Sequence, residues 1–126
     1  MPVSPDYTSF LLELAAPLGP VTSRRMFGGV GLFADGLMFG LVVDDVLYFK
    51  VDDENRPAFE REGIEVFSYE RSGGKRASLS YWRVPERLFD EPEEFVDWAR
   101  DAVSVALRAD AAKPPSQRKK PKRKAG

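Results

Sequence analysis

Arg24 and Arg25 stand side by side at the head of "RRMFGGVGLFADGLMFGLV", residues 24 to 42, a run with glycines at 28, 29, 31, 36 and 40. A guanidinium pair beside a glycine-rich run has the ingredients of an anion cradle. Glycines let backbone N–H groups come close to a phosphate, and arginine can grip it with two parallel hydrogen bonds. The spacing argues otherwise. A phosphate loop needs G-x-x-x-x-G-K-[ST], and a dinucleotide fingerprint needs G-x-G-x-x-G opening a helix. Here Gly29 and Gly31 supply a G-x-G fragment, but Ala34 stands where the third glycine belongs and a turn follows. The run is expected to be a bulged or strongly bent strand, with Gly36 in an "ADG" hairpin turn. Along an alternating strand one arginine shares a face with Met26 and the other with Phe27, so one of the two is expected to be partly buried. Its partner is then a neighbouring carboxylate or, on the functional reading, a phosphate or carboxylate of another molecule. Lys50, in "LYFK", is read as a strand lysine whose stem covers apolar surface, or as the third cation of such a contact site.

The sequence has neither histidine nor cysteine, which excludes a thiol nucleophile, a Ser-His-Asp triad, a thiolate or imidazole zinc site and a disulfide scaffold. Its 20 Asp and Glu leave an all-oxygen metal site or a carboxylate acid/base pair open. "DDEN" at 52 to 55 lacks the glycine and distal glutamate of a calcium loop and is read as a helix cap. Ordinary hydrolase readings thus lose their parts, and no catalytic residue, metal or cofactor is singled out. Tyr48, Tyr69, Tyr81 and Trp82, near Arg71, Arg76 and Arg83, suggest a stacking platform for single-stranded nucleic acid. Cross-strand packing is the stronger reading, because the charge of the surrounding body has the wrong sign.

That charge is divided. The net value of −1 conceals a body, residues 1 to 112, with all 20 acids but only 12 of the 19 Lys and Arg, hence −8. Residues 113 to 126, "KPPSQRKKPKRKAG", hold the other seven cations, three prolines and no apolar side chain larger than alanine. Such a segment has nothing to bury, so the expected organisation is one domain over 1–112 and a disordered basic tail over 113–126. Arg118, Lys119, Lys120, Lys122, Arg123 and Lys124 are the candidate nucleic-acid contacts. No apolar run reaches membrane-spanning length, and the opening residues lack a basic signal-peptide region, so the cytoplasm is the expected compartment and no membrane partner is expected.

Within the body, Ser4 is placed to cap a helix entered through Pro5, with Tyr7, Phe10, Leu11 and Leu14 on one face and Pro17 and Gly19 ending it. The segments "MFGGVGLF", "LMFGLVV" and "VLYFKV" read as three strands joined through "ADG" and "DD". Asp52 or Asp53 is positioned to cap a short second helix stopped by Gly63. "EVFSYER" and "RASLSYW" read as two further strands around an "SGGK" turn. A last helix follows Pro92, with Phe95, Ala99, Ala102, Val103, Ala106 and Leu107 as its apolar face. The order α-β-β-β-α-β-β-α has links too short for parallel crossovers, so the expected fold is α+β: a five-stranded antiparallel sheet packed with helices.

Taken together, "RRMFGGVGLFADGLMFGLVVDDVLYFKVD", the Phe and Gly of the second helix, "FSYER" with its "GG", and "LSYWRVPE" resemble the TfoX/Sxy N-terminal domain family over residues 7 to 110. The resemblance implies the same α+β element order and, for the best-known members, regulation of competence genes for DNA uptake. Those members have a second, helical domain after this one, where the present sequence has its basic tail. No catalytic residues come across with the resemblance. With the absent catalytic sets, the resemblance leads to the expectation of a non-enzymatic regulatory or interaction module tied to transcription or competence, with an unidentified protein partner and accessory nucleic-acid contact through the tail. The alternatives are a ligand-binding or enzymatic domain built on Arg24, Arg25 and Lys50, and a homodimer paired through an exposed sheet edge or apolar patch.

Overall fold

The computed structural model describes residues 4–26, 28–64, 66–70, 76–113 and 116, with the backbone alone over 66–70 and 76–79. The elements are α1 (Pro5–Leu14), β1 (Val21–Met26), β2 (Gly29–Ala34), β3 (Leu37–Val43), β4 (Val46–Lys50), α2 (Arg56–Arg61), β5 (Val66–Glu70), β6 (Arg76–Arg83) and α3 (Pro92–Ala111). Short 3-10 turns at Ala16–Leu18 and Glu86–Asp90 close α1 and lead into α3.

The strands form one sheet in the order β1-β2-β3-β4-β6-β5, every neighbouring pair antiparallel. The α+β class and the antiparallel sheet are those expected; the strands among the described residues number six, not five. The difference lies at the glycine-rich run. Met26 pairs with Gly29, so a tight hairpin connection joins β1 to β2 here, with Gly28 at φ +74° and Phe27 outside the described residues. What reads as one bent strand is the junction of two. β1 is nearly all exposed and polar, so it lacks the apolar alternation by which a half-buried strand announces itself.

The next two turns follow the expected chemistry. Asp35 and Gly36 both have positive φ, as do Asp44 and Asp45, the combination that a tight hairpin twisted with its strands requires. A bulge does appear, one strand later than expected. Leu32 pairs with Gly40 and Phe33 with Met38, leaving Phe39 as the extra residue. It turns into the core, fully buried, with its ring 6.1 Å from that of Phe49.

Among the described residues, the three α-helices pack on one face of the sheet. Leu11 of α1, Phe59 of α2 and Phe95, Ala99, Ala102 and Ala106 of α3 join Val30, Leu32, Phe39, Val42, Leu47 and Phe49 in a single cluster. The small residues of α3 let its axis lie close over β3. Leu107, expected on that apolar face, is 50% exposed and lies outside it. Ser4 caps α1 as expected, its hydroxyl accepting from the Tyr7 amide at 3.1 Å. The cap of α2 is Asn55 rather than Asp52 or Asp53. Asp52 is used otherwise: its carboxylate accepts from the Glu54 amide and from Arg108. Gly63, at φ +72°, ends that helix as expected. The "SGGK" turn lies outside the described residues. No described helix is long and apolar enough to cross a membrane.

Candidate interaction surface

The register assigns each cation to a face. Arg25 pairs with Val30, a core residue, and so stands on the helix side of the sheet. Arg24 pairs with Gly31 and stands on the other side. Both are exposed, so neither is partly buried. No carboxylate among the described residues lies within 4.0 Å of either, so the expected ion pair is absent there. The Arg24 guanidinium instead lies over the Phe33 ring, 4.8 Å from its centroid. Such stacking leaves the guanidinium edge, with its fork of donors, free to bind.

Lys50 shares the helix-free face with Arg24 but lies three strands away, about 14 Å at ordinary strand spacing. It is half-buried, with Nζ 5.1 Å from the Tyr81 ring centroid. Burial, and then the charge of Lys113, hold its pKa below the ordinary lysine value. Burial likewise pushes the Tyr81 hydroxyl up to about 12. Tyr48 and Arg83 occupy the same face, cross-strand partners at the end of the row Arg24, Gly31, Leu41, Tyr48, Arg83. Arg24 and Arg25 thus share a strand, and Lys50 joins neither in one concave site. The aromatic residues also divide. Tyr48 and Tyr81 lie on the helix-free face, whereas Trp82 turns to the helix side, edge-on to Phe59 at 6.1 Å. The side chain of Tyr69, that of Arg76, and Arg71 altogether lie outside the described residues, as do Arg118, Lys119, Lys120, Lys122, Arg123 and Lys124.

The helix-free face has a small core of its own, which no pattern in the sequence announced. Phe33, Leu41 and Tyr81 are buried although they stand apart from the helix-side cluster. A β-carbon at Gly31 would meet Met38 Sδ at 2.7 Å, Phe33 Cε1 at 3.0 Å and Met26 Cε at 3.3 Å. The only signal for this was the glycine itself, whose missing side chain marks a close approach.

Two clefts flank β1, one on each side of its outer edge. A cleft of about 500 Å³ on the helix-free side is lined by Pro20, Thr22, Arg24, Phe33 and Asp35. A second, of about 420 Å³, lies toward α1 and is lined by Pro5, Thr8, Leu12, Arg25 and Val30. Ser23 and Arg24 border both. Among the described residues no group of three acidic side chains is arranged to hold a metal ion.

The model of the TfoX N-terminal domain matches residues 13–106. The chain belongs to the TfoX N-terminal domain family. DNA transformation protein TfoX1 of Aliivibrio fischeri is 35% identical over 86 residues, covering 68% of this chain and 41% of that protein. Protein Sxy of Escherichia coli is 26% identical over 96 residues, covering 76% of this chain and 46% of that protein. The chain therefore spans less than half the length of these TfoX and Sxy relatives. The matched region runs from the end of α1 through most of α3, and so contains the whole sheet.

Proposed function

We propose that this TfoX N-terminal domain is a non-enzymatic, cytoplasmic interaction module acting in transcriptional or competence regulation, and that its basic C-terminal segment adds a nucleic-acid contact. The observation that supports the module most directly is the one-sided packing of the sheet. With α1, α2 and α3 on one face, the other face and the β1 edge present Arg24, Lys50 and Arg83 around a small apolar floor. The relatives' names, one of them a DNA transformation protein, support the regulatory setting. A ligand site built jointly on Arg24, Arg25 and Lys50 draws no support from their placement.

For the nucleic-acid contact, the observation is the division of charge between a body of −8 and six cations in "RKKPKRK". A cation string binding a polyanion releases condensed counterions, so affinity falls steeply with salt. The test compares the full chain with a full-length variant in which those six cations are glutamine, titrated with a 20-base-pair duplex over a salt series. The wild type should show a log–log slope of about −5 and the variant a slope near zero, following roughly 0.9 per phosphate neutralised. Equal affinity and slope for both would remove the tail from the proposal.

A further inference from the structure

We infer that the outer edge of β1 is a strand-addition site, taking an extended peptide of a partner protein that carries two adjacent acidic side chains. The inference rests on the interaction-module reading and names the chemistry of the partner. Among the described residues β1 is hydrogen-bonded to β2 alone, and the two run in continuous register over six pairs. Alternate residues of such a strand turn N–H and C=O outward, a ready template for another strand. Two of the devices that blunt an edge are absent, since Val21–Met26 contains no proline and no bulge interrupts its pairing; the charges it does carry, Arg24 and Arg25, discourage indiscriminate pairing and restrict the occupant.

The flanking geometry selects the occupant. Successive side chains of an added strand point to opposite faces. Neighbouring residues of the peptide would therefore enter the two clefts, one on each side of the edge, that share Ser23 and Arg24. Each cleft has an arginine at its border, Arg24 on the helix-free side and Arg25 toward α1, neither with a carboxylate partner among the described residues. A pair of consecutive carboxylates satisfies both guanidiniums at once. A second copy of this chain fits poorly. Antiparallel pairing of β1 about its own centre would set Arg24 opposite Ser23 and Arg25 opposite Thr22, gathering four guanidiniums in one seam. A nucleic-acid backbone fits poorly too, since it offers phosphates from one side and must approach a body of −8.

The experiment uses the isotope-labelled full chain and a capped octapeptide of alternating valine and threonine with a central Glu-Glu pair. Binding should protect alternate amides within residues 21–26 from hydrogen exchange. The Gln-Gln peptide should bind at least tenfold more weakly, and the double variant Arg24→Glu, Arg25→Glu should prefer a Lys-Lys peptide. Because an added strand uses one of its own edges, N-methylating alternate residues on one edge should abolish binding, while methylating the other edge should not. Protection confined to another segment, equal binding of the Glu-Glu and Gln-Gln peptides, or equal effects of the two methylation patterns would overturn the site. So would competition by a DNA duplex that persists in the tail-neutralised variant, or a β1-dependent rise to dimer mass in light scattering. Failure of the peptide with the salt-dependent duplex binding intact would remove this site and leave the proposed function standing; the reverse result would remove only the tail contact.

Discussion

Gly29 and Gly31 are two residues apart and point to the same side of β2, yet their surroundings differ in kind. A β-carbon at Gly29 would collide with the backbone carbonyl oxygen of Val42, whereas at Gly31 the nearest atom is Sδ of a flexible methionine. Backbone held in a sheet cannot retreat, and a methionine can take another rotamer. Gly29→Ala should therefore lose about 1–3 kcal/mol of stability, the usual cost of overpacking, and Gly31→Ala clearly less. Urea unfolding of the two variants checks the order. A second prediction at this scale concerns Tyr81. Its hydroxyl ionises at about 12 in the fold against an ordinary 10.0, because burial disfavours the phenolate. A raised folded value means that the unfolded chain releases its proton first. The stability this group contributes is complete below pH 10 and is lost as pH rises toward 12. Tyr81→Phe should accordingly flatten the alkaline limb of a stability profile across that window, as read by denaturant midpoints.

At the scale of elements, β4 and α2 are joined by residues whose sequence reads as a simple cap. Asn55 is buried; its Oδ1 accepts from the Asp52 amide at 2.8 Å and its Nδ2 donates to the Lys50 carbonyl at 3.1 Å. Asn55→Ala leaves both backbone groups, in a partly buried loop, without that partner. It should cost about 1–3 kcal/mol, with a fall in thermal midpoint to match. The same loop shows what the sequence could disclose. Helices were legible where caps and apolar spacing agree, as at Ser4 and Pro92, and hairpins where "ADG" and "DD" supply positive-φ residues. β1 was not, because an exposed edge strand has no buried side to pattern. Nor was the bulge that puts Phe39 in the core, because period-two alternation assigns it to the opposite face and only the β2–β3 register reverses that. The candidate cations were visible as residue types. That Arg24 and Arg25 flank one edge while Lys50 stands apart follows from the strand order, which no local pattern encodes.

Across the whole molecule, α3 is fastened at both ends by arginines that join segments distant in sequence. At its start Arg87 contacts Glu94 at 2.9 Å and Glu62, after α2, at 2.7 Å. At its end Arg108 contacts Asp52 at 2.9 Å in the loop before α2. All of these groups are partly exposed, so each pair is worth little at neutral pH. Their joint effect is a response to acid. Hydrogen bonding to Arg108 holds the Asp52 carboxyl below its ordinary value of 3.8, and hydrogen bonding to Arg87 holds Glu62 and Glu94 below 4.5. For carboxyls depressed in the fold, the unfolded chain takes up protons first on acidification. The clamps then contribute in full above about pH 4.5 and are lost as pH falls through the lowered values. The double variant Arg87→Met, Arg108→Met should therefore be only slightly less stable than the wild type at pH 7. Its stability should fall less steeply below pH 4.5, so that the two unfolding curves converge in acid. Each single variant should recover part of that change, and the parts should add, because the clamps sit at opposite ends of α3 and share no partner. Parallel curves for wild type and double variant down to pH 3 would mean that the two arginines do not govern the acid response of this fold.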